Sequence, residues 1–257
     1  MKHARPFLLV SFLMMAVPLF AKETPANVTT PAKAIAVQAP DVAAPKIDPK
    51  TGEPQAAFMQ AHERFLAVAK EGKAEVVFLG DSITAGWNGR KEIWERAFGK
   101  YQPANFGIGG DRTQHVLWRI TNGELDGIKP KAVVIMIGTN NSGTDPVEGI
   151  AAGITQIVKT VRAKQPQAKI LLLAVFPRGN KPGGEFGPAQ EKLKQVNAII
   201  AKLHDGKNVH FLDIGEKFVQ GNGPIDKEIM PDFLHLSARG YEIWADAISP
   251  ILGQLVH

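Results

Sequence analysis

The apolar positions of this chain fall into two kinds of run. Short, nearly unbroken runs occupy 75–79, 104–106, 132–137, 169–175 and 209–212. They are rich in aliphatic and β-branched side chains and show little polar alternation, which predicts strands buried on both faces. Between them, apolar residues recur every three or four positions, the spacing of a helix with one buried face. Phe58, Phe65, Leu66 and Val68 mark such a helix ending at Gly72, and others are predicted over 91–98, 113–120, 146–164, 188–203 and 237–252. Asp145 is expected to cap the helix that Pro146 begins, and Ser237 to cap the last one. Strands alternating with helices imply an α/β protein with a five-stranded parallel sheet between two helical layers, α/β/α.

The first 52 residues break this pattern. Lys2, His3 and Arg5 precede an apolar run from Phe7 to Val17, interrupted only by Ser11, with Pro18 and Ala21 beyond it. This reads as a signal peptide over 1–21, hence a periplasmic or secreted protein, with an uncleaved N-terminal anchor as the other reading. The run is shorter than the roughly 20 apolar residues of a membrane span. Residues 22–52, rich in Ala, Pro, Lys and Thr without any period, read as a flexible linker. That leaves 53–257 as the folded domain.

Charge and cysteine usage exclude several functions. The net charge is +5, but residues 1–50 carry six Lys/Arg against three Asp/Glu, so 51–257 is nearly neutral and has no electrostatic reason to hold nucleic acid. The chain has no cysteine, which excludes disulfides, thiolate metal sites and a lipid anchor on cysteine. No His-Glu-x-x-His pattern occurs, and neither a metal nor another cofactor is expected.

In a parallel sheet of this kind, ligands sit beyond the carboxyl ends of the strands. Ser82, in Gly80-Asp81-Ser82-Ile83, follows the first strand. Gly107–Asp111 follows the second, Gly138–Asn141 the third, and Asp232-Phe233-Leu234-His235 precedes the final helix. A serine hydroxyl attacks an ester only when a base removes its proton. His235 is the candidate base, and Asp232, three positions earlier, can orient it. Plainer readings exist: Ser82 as a helix cap, Asp232 as a turn residue after Pro231, the glycines as a phosphate loop for a nucleotide or flavin. The last explains neither Asn140 nor the Asp232–His235 pair. Thr84 stands where a Gly-x-Ser-x-Gly elbow would need its second glycine, so an α/β-hydrolase is disfavoured.

These motifs resemble the SGNH hydrolases, the GDSL esterase/lipase family, over about residues 55–257. Gly80-Asp81-Ser82-Ile83 matches the family's Gly-Asp-Ser-Leu, Gly110 its glycine, Asn140 its Gly-x-Asn asparagine, and Asp232–His235 its Asp-x-x-His. Asn105–Asp111, His115–Arg119, Asn122–Leu125, Phe176–Gly179 and Leu234–Ser237 look like the branch containing the catalytic subunits of intracellular platelet-activating-factor acetylhydrolase; the leader and linker depart from that branch. The resemblance implies a flavodoxin-like fold, Ser82, Asp232 and His235 as catalytic residues, and an oxyanion hole of the Ser82 and Gly110 N–H groups with the Asn140 amide. It implies no cofactor, and a homodimer only by analogy. Ile83, Thr139 and Leu234, beside those positions, are expected to wall a small acyl pocket that favours acetyl. Asp81 and Asn141 are expected to support the site by hydrogen bonds. Trp87 and Trp118 could line a groove or fill the core, and Arg112 and Arg178 could meet a substrate anion or form ion pairs. Arg178–Pro188 reads as a mobile rim loop. The expected function is an exported esterase acting on O-acetyl groups of a glycan. Other readings are a phospholipid or short-chain lipid esterase, and a non-catalytic glycan-binding domain, which would show a lost triad member; none is lost.

Overall fold

Alternation within the strands sets the layers. The computed structural model describes Met1 and residues 38–180, 183–219 and 224–257. In it, β1 (Val76–Gly80), β2 (Pro103–Gly107), β3 (Ala132–Met136), β4 (Lys169–Leu173) and β5 (Val209–Leu212) form one parallel sheet in the order β2-β1-β3-β4-β5. Val77, Leu79, Val133, Ile135, Ile170 and Leu172 share one core with residues of α4 (Thr113–Arg119), α5 (Val147–Lys164) and α6 (Pro188–Ile200), among them Val116, Ile154 and Val196. Their neighbours Val76, Phe78, Val134, Met136, Leu171 and Leu173 share a second core with α3 (Lys91–Phe98) and α7 (Ala238–Leu255), through Phe98, Trp244 and Ile248. Burial on both faces is why the strand runs lack polar alternation. Each such side chain contributes about 1.5–3 kcal/mol of hydrophobic stabilisation.

Most element boundaries lie within a few residues of expectation, and Ser237 caps α7, its Oγ accepting the Gly240 N–H at 3.2 Å. Two expectations are corrected. Helix α5 starts at Val147, with Pro146 at the cap position; Asp145 instead accepts the Asn141 amide at 2.8 Å. The flexible linker expected over 22–52 does not extend to 52. Thr113 Oγ1 donates to the Pro40 carbonyl (2.7 Å), the Ala44 N–H to that of Gln114 (3.2 Å), and the Gln55 N–H to that of Lys46 (2.7 Å). An isolated bridge joins Ile47 to Pro54. Residues 38–55 thus form a strap across α4 that leads into α1 (Ala56–Glu71). The missing hydrophobic period misled here because backbone hydrogen bonds, not an apolar face, hold the segment down.

The strand order reverses its direction between β1 and β3. The crevice beyond the carboxyl ends of those two strands is where a sheet of this order exposes backbone groups to a ligand. Ser82 and Asn140 both lie there.

Candidate active site

β1 ends at Gly80, and the chain turns through Asp81 into the short helix α2 (Ser82–Ala85). Asp81 is the cap of that helix: its Oδ1 accepts the Ile83 N–H at 2.9 Å. Ser82 is therefore free of capping duty. The turn is pressed against β2, where a Cβ on Gly107 would collide with the backbone of Ala85. From α7, the Tyr241 hydroxyl donates to the Ile83 carbonyl at 2.6 Å and ties the turn to that helix.

The Ser82 Oγ lies 2.8 Å from His235 Nε2, although 153 positions separate them. His235 Nδ1 lies 2.7 Å from Asp232 Oδ2, while Asp232 Oδ1 accepts the N–H groups of Leu234 (3.1 Å) and His235 (2.7 Å). Phe233, between them, has φ +64°, a left-handed conformation that costs a non-glycine residue about 1–2 kcal/mol. Its ring is buried and its carbonyl accepts the Gly179 N–H at 2.9 Å, so the rim loop and the core hold the bend. Partial burial acts to raise the Asp232 pKa, but the bonds from His235 and Leu234 prevail and hold it below the ordinary carboxylate value. An ionised Asp232 places the imidazole proton on Nδ1 and leaves the Nε2 lone pair facing the Ser82 hydroxyl. Such a chain can convert a serine hydroxyl into a nucleophile.

Beside this chain stand two potential donors to a developing oxyanion. Asn140, in the turn after β3, gives one amide hydrogen to the Asp111 carbonyl at 2.8 Å, and the other has no partner among the described residues. Gly110 has φ +71° in a turn closed by the Asp111 N–H on the Ile108 carbonyl at 3.2 Å. Beneath them lies Arg119, fully buried. It donates to Asp111 Oδ2 (2.9 Å), to Glu124, to the Phe106 carbonyl (3.0 Å) and, at 3.4 Å, to the Gly80 carbonyl. Glu124 also meets His62 Nδ1 at 2.9 Å. Burial works against the Arg119 charge, but Glu124 and Asp111 outweigh it and hold its pKa above the ordinary value. Burial raises Asp111 to about 6 despite Arg119. One guanidinium therefore ties together the ends of β1 and β2 and the residue after Gly110.

Several expected roles change. Ile83 and Thr139 are each 1% exposed and offer no surface to an acyl chain; of the three residues expected to wall the pocket, only Leu234 is part-exposed. Ile83 belongs to the core beneath α7, and Thr139 is held by Arg178, which donates to its carbonyl at 3.1 Å. Trp87 is core, and Trp118 packs on Phe58 and His62. Arg112 donates to Thr144 Oγ1 at 3.1 Å and stands 3.8 Å from Asp145. Asn141 accepts the Thr113 N–H at 3.0 Å. In the rim loop, Asn180 and Glu185 pair through the backbone at 2.8 Å; residues 181–182 lie outside the described residues. Sequence reasoning missed Arg119, although an arginine among Val116, Leu117 and Ile120 signals a buried, paired charge. It also missed Lys46, whose ammonium donates to the Gly109 carbonyl at 2.5 Å. No pattern in the chain announces that contact.

The GDSL-like lipase/acylhydrolase family model matches residues 78–243. The platelet-activating factor acetylhydrolase IB subunit alpha1 of Homo sapiens is 44% identical over 200 residues, covering 77% of this chain and 84% of that protein. Among solved structures, a GDSL-like lipase from Bacteroides thetaiotaomicron superposes with TM-score 0.61 at 22% identity, covering 75% of this chain and 97% of that one. A carbohydrate acetylesterase from Sinorhizobium meliloti gives 0.56 at 22% identity, covering 71% and 100%. These relatives correct one expectation. The curated proteins are subunits of an intracellular acetylhydrolase, which overturns the reading of an exported protein. The leader and the first part of the linker on which that reading stood lie, Met1 apart, outside the described residues. Family match, sequence identity and fold agree: this chain is a serine hydrolase of the acylhydrolase type and belongs to the GDSL-like lipase/acylhydrolase family.

Proposed function

We propose that this enzyme hydrolyses short-chain esters, acetyl esters foremost, through an acyl-enzyme on Ser82. The observation that carries the reading is the unbroken chain from Ser82 Oγ through His235 to Asp232, at 2.8 and 2.7 Å. Ser82 Oγ attacks the ester carbonyl carbon while His235 Nε2 takes the hydroxyl proton. The oxyanion is received by the Ser82 and Gly110 N–H groups and the free amide hydrogen of Asn140. His235 then returns the proton to the departing alcohol oxygen. A water molecule, deprotonated by His235, attacks the acyl carbon, and Ser82 leaves with the proton restored. Each oxyanion donor of this type contributes about 2.7–4 kcal/mol to lowering the barrier.

Preference for acetyl is supported by the burial of Ile83 and Thr139: of the three residues that flank the catalytic positions in sequence, only Leu234 offers apolar surface. It is supported also by the acetyl chemistry in the names of the human relative and the Sinorhizobium neighbour. The choice of a glycan over a lipid as the alcohol was premised on export, and loses that premise. The test is hydrolysis of p-nitrophenyl acetate and octanoate by wild type and Ser82→Ala. Wild type is expected to favour acetate, and Ser82→Ala to lose about 10³-fold or more in kcat. Equal rates for the two proteins would refute the mechanism; faster octanoate turnover would refute the acyl preference.

A further inference from the structure

We infer that Lys46, carried by the strap ahead of the family-matched region, is a positioning residue that holds the Gly109–Gly110 peptide with its N–H aimed at the oxyanion. The inference rests on the role proposed above for Gly110.

A trans peptide is planar, and its C=O and N–H point in opposite directions. The Gly110 N–H and the Gly109 carbonyl belong to one peptide unit, so whatever grips the carbonyl sets the direction of the N–H. That unit is the centre of the Ile108–Asp111 turn. The turn is closed at 3.2 Å, and Gly110 has φ +71°, the type II pattern. Types I and II share the closing hydrogen bond and differ by a half-turn of this central peptide. With glycine on both sides no Cβ biases the choice. The closing bond therefore cannot select the orientation, and something outside the turn must.

Lys46 supplies that grip. Its Nζ donates to the Gly109 carbonyl at 2.5 Å and stands 4.0 Å from Asp111 Oδ1, so the carbonyl rather than the carboxylate holds it. A Cβ on Gly110 would lie 2.8 Å from the same Nζ, which puts the ammonium directly over the turn. A charge-assisted bond of this kind is about twice as strong as a neutral one. Drawing on the carbonyl oxygen also polarises the N–H at the other end of the peptide. The side chain is 19% exposed, and its backbone is fixed by the Gln55 N–H on the Lys46 carbonyl and by Gln38 Nε2 on the Pro45 carbonyl, both at 2.7 Å. The strap thus serves the site by bringing one cation to the back of one peptide.

The test compares Lys46→Met, which removes the donor at similar length, and Lys46→Arg, which keeps one, in steady-state hydrolysis of p-nitrophenyl acetate. Lys46→Met is expected to lose about 10- to 100-fold in kcat, less than outright deletion of an oxyanion donor because the turn still samples the working orientation. KM should stay within about threefold, and Lys46→Arg within about threefold of wild type in kcat. Inhibition by phenylboronic acid, which forms a charged tetrahedral adduct, should weaken in Lys46→Met in parallel with kcat. Should methionine disturb the strap, seen as a lowered Tm, Lys46→Leu, which also lacks a donor, is the replacement with the same expectations. Unchanged kcat in the donor-less variant overturns the inference. So does a loss confined to KM, or an arginine variant as impaired as methionine. A Ser82-dependent wild type with an unimpaired Lys46→Met overturns this inference alone; a wild type no faster than Ser82→Ala overturns the acyl-enzyme reading with it.

Discussion

Replacing Asp81 by asparagine should change the way this protein's stability depends on pH. Asp81 is fully buried behind the nucleophile. Its Oδ1 takes the Ile83 N–H, but Oδ2 has no hydrogen-bond partner among the described residues. Burial, with a smaller push from Asp111 and opposed by the Ile83 bond and by His235, raises its pKa from 3.8 to about 7. Between those values the native chain keeps a proton that the unfolded chain releases. Stability from this group is therefore full below the lower value and falls as pH rises towards the upper one, by about 1.4 kcal/mol per unit. From pH 5 to pH 8 the wild type should lose about 2–3 kcal/mol through Asp81 alone. Asparagine keeps the Oδ1 acceptor and never ionises. Burying its NH₂ in place of Oδ2 costs free energy, but equally at both pH values. Asp111, raised to about 6, is present in both proteins, and only its small mutual push with Asp81 differs between them. Urea unfolding followed by tryptophan fluorescence measures the difference, since Trp87 and Trp244 are buried. Asp81→Asn should gain about 2–3 kcal/mol relative to wild type between pH 5 and pH 8. An offset that is the same at both pH values, or larger at the lower one, would show that Asp81 is ionised in the native protein and refute the argument.

Two further outcomes follow from the geometry. In Asp232→Asn the amide oxygen can keep the Leu234 and His235 backbone bonds, but an NH₂ then faces His235 Nδ1 and forces the proton onto Nε2. The kcat should fall about 10³- to 10⁴-fold with little change in fold, measured as ester hydrolysis beside circular dichroism. Arg119→Met should destabilise by about 3–5 kcal/mol, because it takes the guanidinium from buried Asp111 and leaves buried Glu124 with His62 alone; a change below about 1 kcal/mol in urea unfolding would show that those carboxyls are neutral in the native state.

The sheet was readable from the chain because a strand buried on both faces leaves an apolar run that few other structures leave. Its helices were readable for the complementary reason, down to the Ser237 cap. The candidate site was legible as motifs: Ser82 and Asn140 follow β1 and β3, the Asp232–His235 pair precedes α7, and the fold joins Ser82, His235 and Asp232 by hydrogen bonds. Depth was not readable. Ile83 and Thr139 adjoin the site in sequence, yet Ile83 is buried in the core and Thr139 faces Arg178, and adjacency along a chain does not fix which way a side chain faces. The strap at 38–55 was misread because it is anchored through its own backbone, to Thr113 Oγ1 and the Gln114 carbonyl of α4, which no composition records.

The amino-acid pattern alone determined which segments become strands and helices and which residues carry reactive groups, since both follow from local periodicity and side-chain chemistry. Tertiary structure decided which of those groups meet. It set the imidazole against the hydroxyl across 153 positions, buried Arg119 between two acids, and laid Lys46 over the Gly109–Gly110 peptide. Contacts of that range depend on how layers stack and where loops cross, and the free energy that holds them is spread over two cores rather than written in any one stretch of chain.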